Sequence, residues 1–397
     1  MTTGRTPLRG TGSVSPDVVV VGGGIVGTST AAFLAEAGAR VLLIERDGLA
    51  SGASGANSGV VQHPFDPVMA RLYRSSLDLY RELAAESNGF AIGAEPAGML
   101  YVTADAAAAR RQAALVNGPF PELGAEVVGG DALRALEPAM APGLWACRVP
   151  IGFPVAPGSG TYAFASLAES RGVAIRMGRA AALEVAGDRA VGVRIDGTLV
   201  PAGAVVAAAG PWTPALLDPT GRWTPISPRW GVVVEAELPR GPRHVLEEAG
   251  IEAVLDEGAD ATASRPDGHA GDGDGGLEFS YVPQPGAGSV GSTFLPLEPS
   301  PEAWTERILL RASGFVPGVA DAPIRGVRCC ARPQSDDGRP LVGAVPGLRG
   351  GFVCAGHGPW GVSTGPGSAR LVADLVLGHG PAIPAALDPR RFGAPRG

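Results

Sequence analysis

Residues 17–45 read DVVVVGGGIVGTSTAAFLAEAGARVLLIE. Residues 17–21 are apolar after the first of them, which predicts a strand buried on both faces of a parallel sheet. Residues 25–37 carry small and apolar side chains at helical spacing, and Gly38 is typical of a helix end. Val41–Ile44 predicts a second buried strand. This stretch therefore predicts a strand, a helix and a parallel strand in succession.

Three glycines, Gly22, Gly24 and Gly27, lie between the first strand and the helix. The first permits a tight turn, the second lets the backbone approach a pyrophosphate, and the third allows close packing. The N-terminus of the helix favours anionic phosphate groups. Glu45 ends the second strand, where a carboxylate can accept hydrogen bonds from ribose hydroxyls. The stretch is interpreted as a Rossmann unit for a dinucleotide, and by itself it serves NAD and FAD alike.

The composition limits the classes of partner. A net charge of -7 argues against nucleic acid, because a phosphate backbone is met by clustered basic charge. We expect a small-molecule partner instead. All 32 basic residues are arginines, which excludes Schiff-base chemistry and any lysine ammonium beside a cofactor. The four cysteines show neither metal-ligand nor disulfide spacing, so we predict no metal site and a reduced, cytoplasmic location.

Four further segments carry recognisable motifs. Residues 51–60 read SGASGANSGV, whose small side chains would let the chain pack against a bulky cofactor. Residues 204–212 read AVVAAAGPW, residues 332–343 read RPQSDDGRPLVG, and residues 356–361 read GHGPWG. In this order the segments resemble the D-amino-acid oxidase superfamily of flavoproteins, and its glycine oxidases and sarcosine oxidases most of all. The resemblance covers most of the chain and is concentrated at its two ends.

The resemblance implies that the dinucleotide is FAD. Carried over position by position, it implies contacts from the Rossmann unit, from the segment after it and from later loops. These residues are Gly22, Gly24, Ile25, Val26, Gly27, Glu45, Arg46, Ala53, Ser54, Ser58, Gly59, Val60, Ala180, Gly210, Gly356, His357, Gly358, Pro359, Trp360, Gly361, Val362 and Ser363. His357 is interpreted as a residue of the flavin loop held through its backbone, in preference to a base.

Cys330 occupies the position at which sarcosine oxidases carry a cysteine bonded covalently to the flavin. Glycine oxidases have no such bond, and a buried cysteine is usually a small apolar side chain. Non-covalent FAD is therefore expected, with a covalent link through Cys330 as the alternative.

Arg332 matches the arginine that binds the substrate carboxylate in glycine oxidases, and a planar guanidinium suits a bidentate carboxylate pair. Tyr281 and Trp360 are candidate walls of the substrate cavity. His63 could face the flavin or lie at a turn, and we favour the turn. The second carboxylate-binding arginine of glycine oxidases corresponds here to Pro359, which leaves the remainder of the substrate undefined.

The predicted fold is α/β, with a Rossmann-type FAD-binding domain built on a central parallel sheet. A second, α+β substrate domain is built on a mainly antiparallel sheet. We assign residues 17–65, 145–216 and 326–384 to the FAD-binding domain. Residues 66–144 and 217–325 are assigned to the substrate-binding domain.

Three segments are expected to lie outside these units. Residues 1–16 are interpreted as a loose N-terminal arm and residues 385–397 as a C-terminal tail. Residues 256–276 are rich in Gly, Asp and Ala without apolar periodicity, which indicates a flexible loop. No segment approaches the roughly 18 apolar residues needed to span a bilayer, so no integral membrane segment is expected.

The resemblance implies an oxidase of a small amine that carries a carboxylate. The expected reaction is hydride transfer from the α-carbon of a glycine-type, N-substituted glycine or D-amino acid to flavin N5. The imine is then hydrolysed to an oxo acid and an amine, with hydrogen peroxide if oxygen is the acceptor. Without lysine or a convincing carboxylate base, we expect desolvation to select the neutral amine.

Two alternatives stay open. One is an FAD-dependent 2-hydroxy-acid or D-amino-acid dehydrogenase that uses another electron acceptor. The other is a flavin-binding protein without turnover. The sequence leaves both the acceptor and the oligomeric state open.

Overall fold

The computed structural model describes residues 15–87, 89–250 and 276–395. Most of the predicted arm over residues 1–16 and of the predicted loop over residues 256–276 lies outside the described residues, so these two predictions stay untested.

The strands are β1 (Val18–Val21), β2 (Val41–Ile44), β3 (Val60–Val61), β4 (Met99–Thr103), β5 (Glu126–Gly129), β6 (Trp145–Val149), β7 (Phe153–Pro154), β8 (Ala174–Arg176), β9 (Ala181–Ala186), β10 (Arg189–Ile195), β11 (Thr198–Pro201), β12 (Ala204–Ala207), β13 (Ile226–Ala236), β14 (Val245–Glu248), β15 (Leu277–Gln284), β16 (Ala287–Thr293), β17 (Ile324–Ser335), β18 (Leu341–Ala344) and β19 (Gly351–Ala355). The helices are α1 (Ile25–Glu36), α2 (Ala53–Ala56), α3 (Pro67–Glu86), α4 (Ala106–Asn117), α5 (Gly130–Leu136), α6 (Ser159–Ser170), α7 (Thr213–Leu217), α8 (Pro301–Ser313) and α9 (Gly361–Val376).

A six-stranded, largely parallel sheet forms the first layer, in the order β18-β19-β12-β1-β2-β8. The central strand β1 pairs in parallel with β2 on one side and with β12 on the other. All four of its valines are buried, as a continuous apolar strand requires in a sheet covered on both faces. Helix α1 packs against α6 and α9. The predicted Rossmann unit is confirmed.

An eight-stranded sheet forms the second layer, in the order β17-β13-β16-β15-β14-β4-β6-β5. Its pairs are antiparallel except for β14 with β4. One face packs Leu246, Phe279 and Tyr281 with Ile308 of α8. The opposite face belongs to a separate cluster that contains Trp360, at the start of α9. The predicted α/β fold class with a mainly antiparallel second sheet is confirmed.

The sheet membership of two strands differs from the predicted division of the chain. We assigned residues 145–149 and 326–335 to the FAD-binding domain, whereas β6 and β17 pair within the eight-stranded sheet. The sheet that a strand joins depends on its pairing partners elsewhere in the chain, which the local sequence of β17 does not record. Its pairing with β13 over eleven positions of that strand places Cys330 and Arg332 on the edge strand of the second sheet. The domain division itself stays a prediction.

The C-terminal residues pack on the body of the protein. Leu387 is fully buried in the main core. The backbone oxygen of Phe392 accepts a hydrogen bond from the indole of Trp223. None of the helices in the described ranges is long and apolar enough to cross a membrane.

Candidate functional site

A cavity of about 450 Å³ lies where β1, β2, β12 and β19 end. Residues Gly22, Glu45, Ala208 and Ala355, at or just after the carboxyl ends of these strands, line it. Arg332 of β17 supplies part of the opposite wall. Ligands of open α/β sheets bind at the carboxyl ends of parallel strands, and the volume lies in the usual range for ligand sites.

The glycine-rich turn has no room for side chains. Gly22 has φ +119°, and a Cβ there would collide with the backbone oxygen of Ala208. A Cβ at Gly27 would collide with the backbone oxygen of Gly22. A Cβ at Gly24 would lie 2.9 Å from the Ser54 hydroxyl. The first and third glycines thus close the turn on the strand and helix, as the motif predicts.

Glu45 is fixed at the end of β2 by two backbone groups. One carboxylate oxygen accepts a hydrogen bond from the amide of Gly23 at 2.6 Å, and the other accepts from the amide of Asp47 at 2.8 Å. Each oxygen retains a second lone pair for a ligand. The Ser54 hydroxyl accepts from the amide of Ile25 at 2.9 Å and so occupies the N-terminus of α1. This cradle fits the ribose and pyrophosphate of a dinucleotide.

His357 lies in the loop between β19 and α9, on the wall of the cavity. Its side chain is buried, and the Nε2 atom has no hydrogen-bond partner among the described residues. Burial lowers the pKa of His357 to about 4, so the ring is neutral near pH 7. A base with so low a pKa is poorly matched to neutral conditions. An unpartnered ring nitrogen is instead suited to a hydrogen bond with a bound ligand.

Arg332 is held by neutral groups alone. Its guanidinium donates to the backbone oxygen of Thr293 at 2.7 Å and to the hydroxyl of Ser292 at 2.6 Å. It also stacks on Phe294, with 4.5 Å from Cζ to the ring centre. Gly231 makes room for it, because a Cβ there would collide with the guanidinium.

The charge of Arg332 is not compensated by the protein. Within the described residues no carboxylate lies within 4.0 Å of its guanidinium nitrogens. Burial lowers the pKa of Arg332, but a guanidinium stays charged in proteins. A half-buried cation on a cavity wall is strongly stabilised by an anionic ligand, and a carboxylate matches its geometry.

Tyr281 and Trp360 do not line this cavity. Side chains of a strand alternate between its faces, and Tyr281 packs with Phe279 on the face of the eight-stranded sheet that α8 covers, here called the far face. Its neighbour Ser280 therefore takes the opposite, near face. Trp360 packs with Met99 in the cluster on the near face. Their expected place in the wall of the substrate cavity stays a prediction.

His63 lies in an aromatic cluster outside the cavity. Its ring centre is 4.8 Å from that of Phe120 and 5.0 Å from that of Tyr73, both at edge-on angles. Burial, followed by the positive charge of Arg74, lowers the pKa of His63 to about 4. The residue packs as a neutral ring outside the cavity, and the interpretation that it lies at a turn stays a prediction.

Replacing His63 by phenylalanine is expected to make stability less sensitive to acid. Between pH 6.5 and about pH 4 the unfolded chain binds a proton on His63 that the native protein excludes. The free energy of unfolding therefore falls as the pH falls through this window, by about 3 kcal/mol for one such histidine. Urea unfolding near neutral pH and near pH 4.5 measures it. Exposed His379 provides the control, H379F. An unchanged pH dependence in H63F would contradict the assignment.

Most of the predicted cofactor residues lie together on the cavity wall. These are Gly22, Gly24, Ile25, Val26, Glu45, Arg46, Ala53, Ser54, Ala180, Gly210, Cys330, His357, Gly358, Pro359, Gly361 and Val362. The remaining predicted residues do not line it, namely Gly27, Ser58, Gly59, Val60, Gly356, Trp360 and Ser363. The contacts of all these residues with FAD stay predictions.

The motifs did not single out three residues that shape the site. The Asn57 side chain donates to the backbone oxygens of Ala53 and Ser54 and so stabilises the short helix α2. Trp212 lines the cavity, and Ser292 orients Arg332. Asn57 and Trp212 stand inside quoted motifs and could have been found there. Ser292 carries no local signal, because its role depends on strand pairing.

Cys330 lines the cavity between the positions of Arg328 and Arg332 on β17. The thiol is buried, and burial raises its pKa. A protonated thiol is a weak nucleophile, which favours a packing role.

Comparison with known proteins agrees with this geometry. Residues 17–375 match the DAO family, described as FAD dependent oxidoreductase. The chain is 30% identical to the glycine oxidase of Pseudomonas aeruginosa over 395 residues, covering 94% of this chain and 98% of that protein. It is 31% identical to a D-amino acid dehydrogenase of Xylella fastidiosa over 217 residues, which cover 54% of this chain but only 45% of that relative.

Solved structures give the same result. The glycine oxidase of Bacillus cereus superimposes with a TM-score of 0.77 at 26% identity, covering 92% of this chain and 96% of that one. The family match extends over most of the sequence, and the glycine-rich turn, Glu45 and the loop after β19 line one cavity. The chain therefore belongs to the DAO family of FAD-dependent oxidoreductases.

Proposed function

We propose that this protein oxidises a small amine carrying a carboxylate, in the manner of a glycine oxidase. The substrate is a glycine-type amine, an N-substituted glycine or a D-amino acid. The products are an imine, hydrolysed to an oxo acid and an amine, and hydrogen peroxide if oxygen reoxidises the cofactor. The observation that carries the proposal is Arg332, a cation on the cavity wall whose protein partners are all neutral.

Different residues of the cavity bind the cofactor and the substrate. The turn at Gly22 and the carboxylate of Glu45 hold the dinucleotide end of FAD. When bound, FAD supplies the acceptor, flavin N5, for a hydride from the α-carbon of the substrate. Arg332 binds the substrate carboxylate and so fixes the orientation of the α-carbon. Its bonds to Ser292 and Thr293 hold the guanidinium in place before the substrate arrives.

The amine must be neutral when it reacts. The chain has no lysine, and the histidine on the cavity wall is a poor base because its pKa is about 4. Desolvation in a largely apolar cavity disfavours the ammonium form of the substrate and selects the neutral amine without a dedicated base.

Pro359 supports a substrate larger than glycine. It lines the cavity in the flavin loop, at the position that corresponds to the second carboxylate-binding arginine of glycine oxidases. A proline offers no hydrogen-bond donor to the substrate carboxylate. An N-substituent or a side chain on the substrate can occupy this part of the site.

A D-amino-acid dehydrogenase is the second candidate. The partial match to the Xylella fastidiosa enzyme favours it, and such an enzyme would pass its electrons to an acceptor other than oxygen. The same Arg332 would bind the carboxylate of that substrate.

The deciding experiment follows the visible flavin spectrum of the purified protein without oxygen. We expect bleaching by glycine, sarcosine, larger N-carboxymethyl amines or D-amino acids, because each presents a carboxylate and an amine on one carbon. Bleaching by 2-hydroxy acids alone would overturn the proposal, and no bleaching by any compound would indicate a flavin protein without turnover. Admitting air then shows whether oxygen reoxidises the reduced flavin. Acid precipitation should leave the yellow colour in solution, since we propose non-covalent FAD.

A further inference from the structure

A buried carboxylate and a buried amide meet on the near face of the eight-stranded sheet. Glu247 of β14 takes this face, because its neighbour Leu246 packs on the far one. The side chain of Gln62, directly after β3, donates from Nε2 to Oε1 of Glu247 at 3.2 Å. Only 8% of Glu247 and 6% of Gln62 is exposed. Neither residue takes part in the proposed hydride transfer.

Gln62 keeps an unsatisfied acceptor. Its Oε1 atom is buried and has no hydrogen-bond partner within the described ranges. The bond from Nε2 fixes the orientation of the amide, because an ionised carboxylate accepts hydrogen bonds and donates none. The backbone amide of Gln62 donates to the hydroxyl of Ser363 at 3.0 Å, which anchors the residue to the beginning of α9. A buried acceptor is costly to leave unpaired, and a donor on a bound molecule would satisfy it.

Arg332 projects from the same face of the sheet. Its guanidinium lies over Gly231 of β13, whose neighbour Val232 packs on the far face. It reaches β16, where it donates to the backbone oxygen of Thr293. Only β15 separates β16 from β14. Adjacent strands lie about 4.8 Å apart, so this cation and the carboxylate of Glu247 are anchored on strands roughly 10 Å apart.

Small side chains lie between these two groups. Ser280 of β15 is directly opposite Glu247, and Gly291 of β16 is directly opposite Ser280, so all three share the near face. The α-amine of an amino acid lies within about 3 Å of its carboxylate. A substrate whose carboxylate is bound to Arg332 therefore cannot reach Glu247 with its α-amine. A group at the far end of a side chain or of an N-substituent can reach it.

We propose that Glu247 and Gln62 form a second subsite, which binds an amino or guanidino group at the far end of the substrate's side chain or N-substituent. The inference rests on the proposed function, in which Arg332 binds the substrate carboxylate. An ammonium group has three donors and no acceptor, so it satisfies the carboxylate and the Gln62 oxygen together. The extended side chain of lysine places its terminal nitrogen roughly 7.5 Å from the carboxyl carbon, and hydrogen bonds of about 3 Å at each end complete the distance.

The first test measures binding and needs no turnover. The compound 6-aminohexanoate carries a carboxylate and an amine at the spacing of lysine but no α-amine, and heptanoate has a methyl group in place of the ammonium. Calorimetric titration of the FAD-loaded protein gives both dissociation constants. We expect wild type to bind 6-aminohexanoate about 10- to 100-fold more tightly, because its ammonium forms charge-assisted hydrogen bonds. E247Q should abolish most of this preference, and Q62L should reduce it by about two- to tenfold.

The second test follows anaerobic bleaching of the flavin. D-lysine is compared with D-2-aminoheptanoate, and N-(3-aminopropyl)glycine with N-butylglycine, since each pair differs only in a terminal ammonium or methyl group. We expect at least one ammonium compound to reduce the flavin about 10- to 100-fold faster at low concentration than its methyl partner, and E247Q to remove the difference. A binding preference without bleaching would contradict the proposed reaction but not the subsite. Bleaching without any preference in either test would overturn the subsite alone.

The next residue of β14 provides a matched control. Glu248 points to the far face, where its carboxylate accepts hydrogen bonds from Arg311 of α8 at 2.8 and 2.9 Å. E248Q should keep the wild-type preference for the ammonium compounds. An equal loss in E248Q and E247Q would mean that the shape of β14 sets the preference, and it would overturn direct binding by Glu247, as would an unchanged preference in E247Q. Thermal unfolding of each holoprotein checks the fold, and Q62L decides the matter if E247Q does not retain FAD.

Discussion

Replacing Arg332 by methionine is expected to lower kcat/KM for carboxylate-bearing amines by about a thousandfold. Removing one partner of a buried, hydrogen-bonded charge pair costs about 2–5 kcal/mol. The protein groups that hold Arg332 are neutral, so its loss leaves no unpaired charge in the fold. Steady-state kinetics with the best substrate from the bleaching experiment measures the effect.

Two comparisons make the Arg332 experiment specific. R332K keeps the charge without the planar fork and should recover part of the activity. R325M alters an exposed arginine of the same strand, paired with Glu237, and should leave kcat/KM unchanged. The loss in R332M should shrink for amines that lack a carboxylate. Wild-type kcat/KM in R332M, with FAD bound, would remove Arg332 from substrate binding and with it the main support for the proposed function.

Replacing Glu45 by alanine is expected to raise the dissociation constant of FAD by about 10- to 100-fold. Hydrogen bonds to a charged group contribute about 1.5–3 kcal/mol, and the ribose would lose its acceptor. The substitution also releases the amides of Gly23 and Asp47, which the carboxylate holds in the shape of the turn. FAD titration of the stripped protein, followed by flavin fluorescence, gives the constant.

The control for Glu45 is another carboxylate with a local partner. Glu184 of β9 accepts two hydrogen bonds from Arg194 of the paired strand β10, and neither residue lines the cavity. E184A should bind FAD as the wild type does. E45Q retains an oxygen acceptor and should lie between wild type and E45A. Unchanged FAD affinity in E45A would mean that the ribose is held by other groups.

The local signals of the chain were sufficient for the nucleotide-binding unit. A strand buried on both faces, a turn that only glycine can adopt and a helix follow one another within residues 17–36. Each of these is dictated by neighbours in sequence, so periodicity and turn chemistry predicted them. The same is true of Glu45, because the end of a parallel strand fixes where its side chain stands.

The residues on the substrate side of the cavity could not be predicted without the tertiary structure. Whether a residue of a strand faces the cavity depends on register, and a shift of one position reverses every side chain. Thus Tyr281 was expected in the wall and lies on the far face, while Ser280 takes the near one. The assignment of β17 to the second sheet came from its pairing with β13 about 100 residues earlier, which no local pattern records.

The Rossmann unit could be predicted from the chain alone, as could the residue types available for chemistry, which include arginine but no lysine, and the family resemblance implied the cofactor class. The partners that each arginine meets follow from the folded arrangement. Arg332 meets Ser292 and Thr293 from a strand some forty positions away, and Arg46 meets Trp212 across β1. The physical reason is that hydrogen bonds and charge compensation depend on distances in space, whereas turns and buried strands are set by near neighbours along the chain.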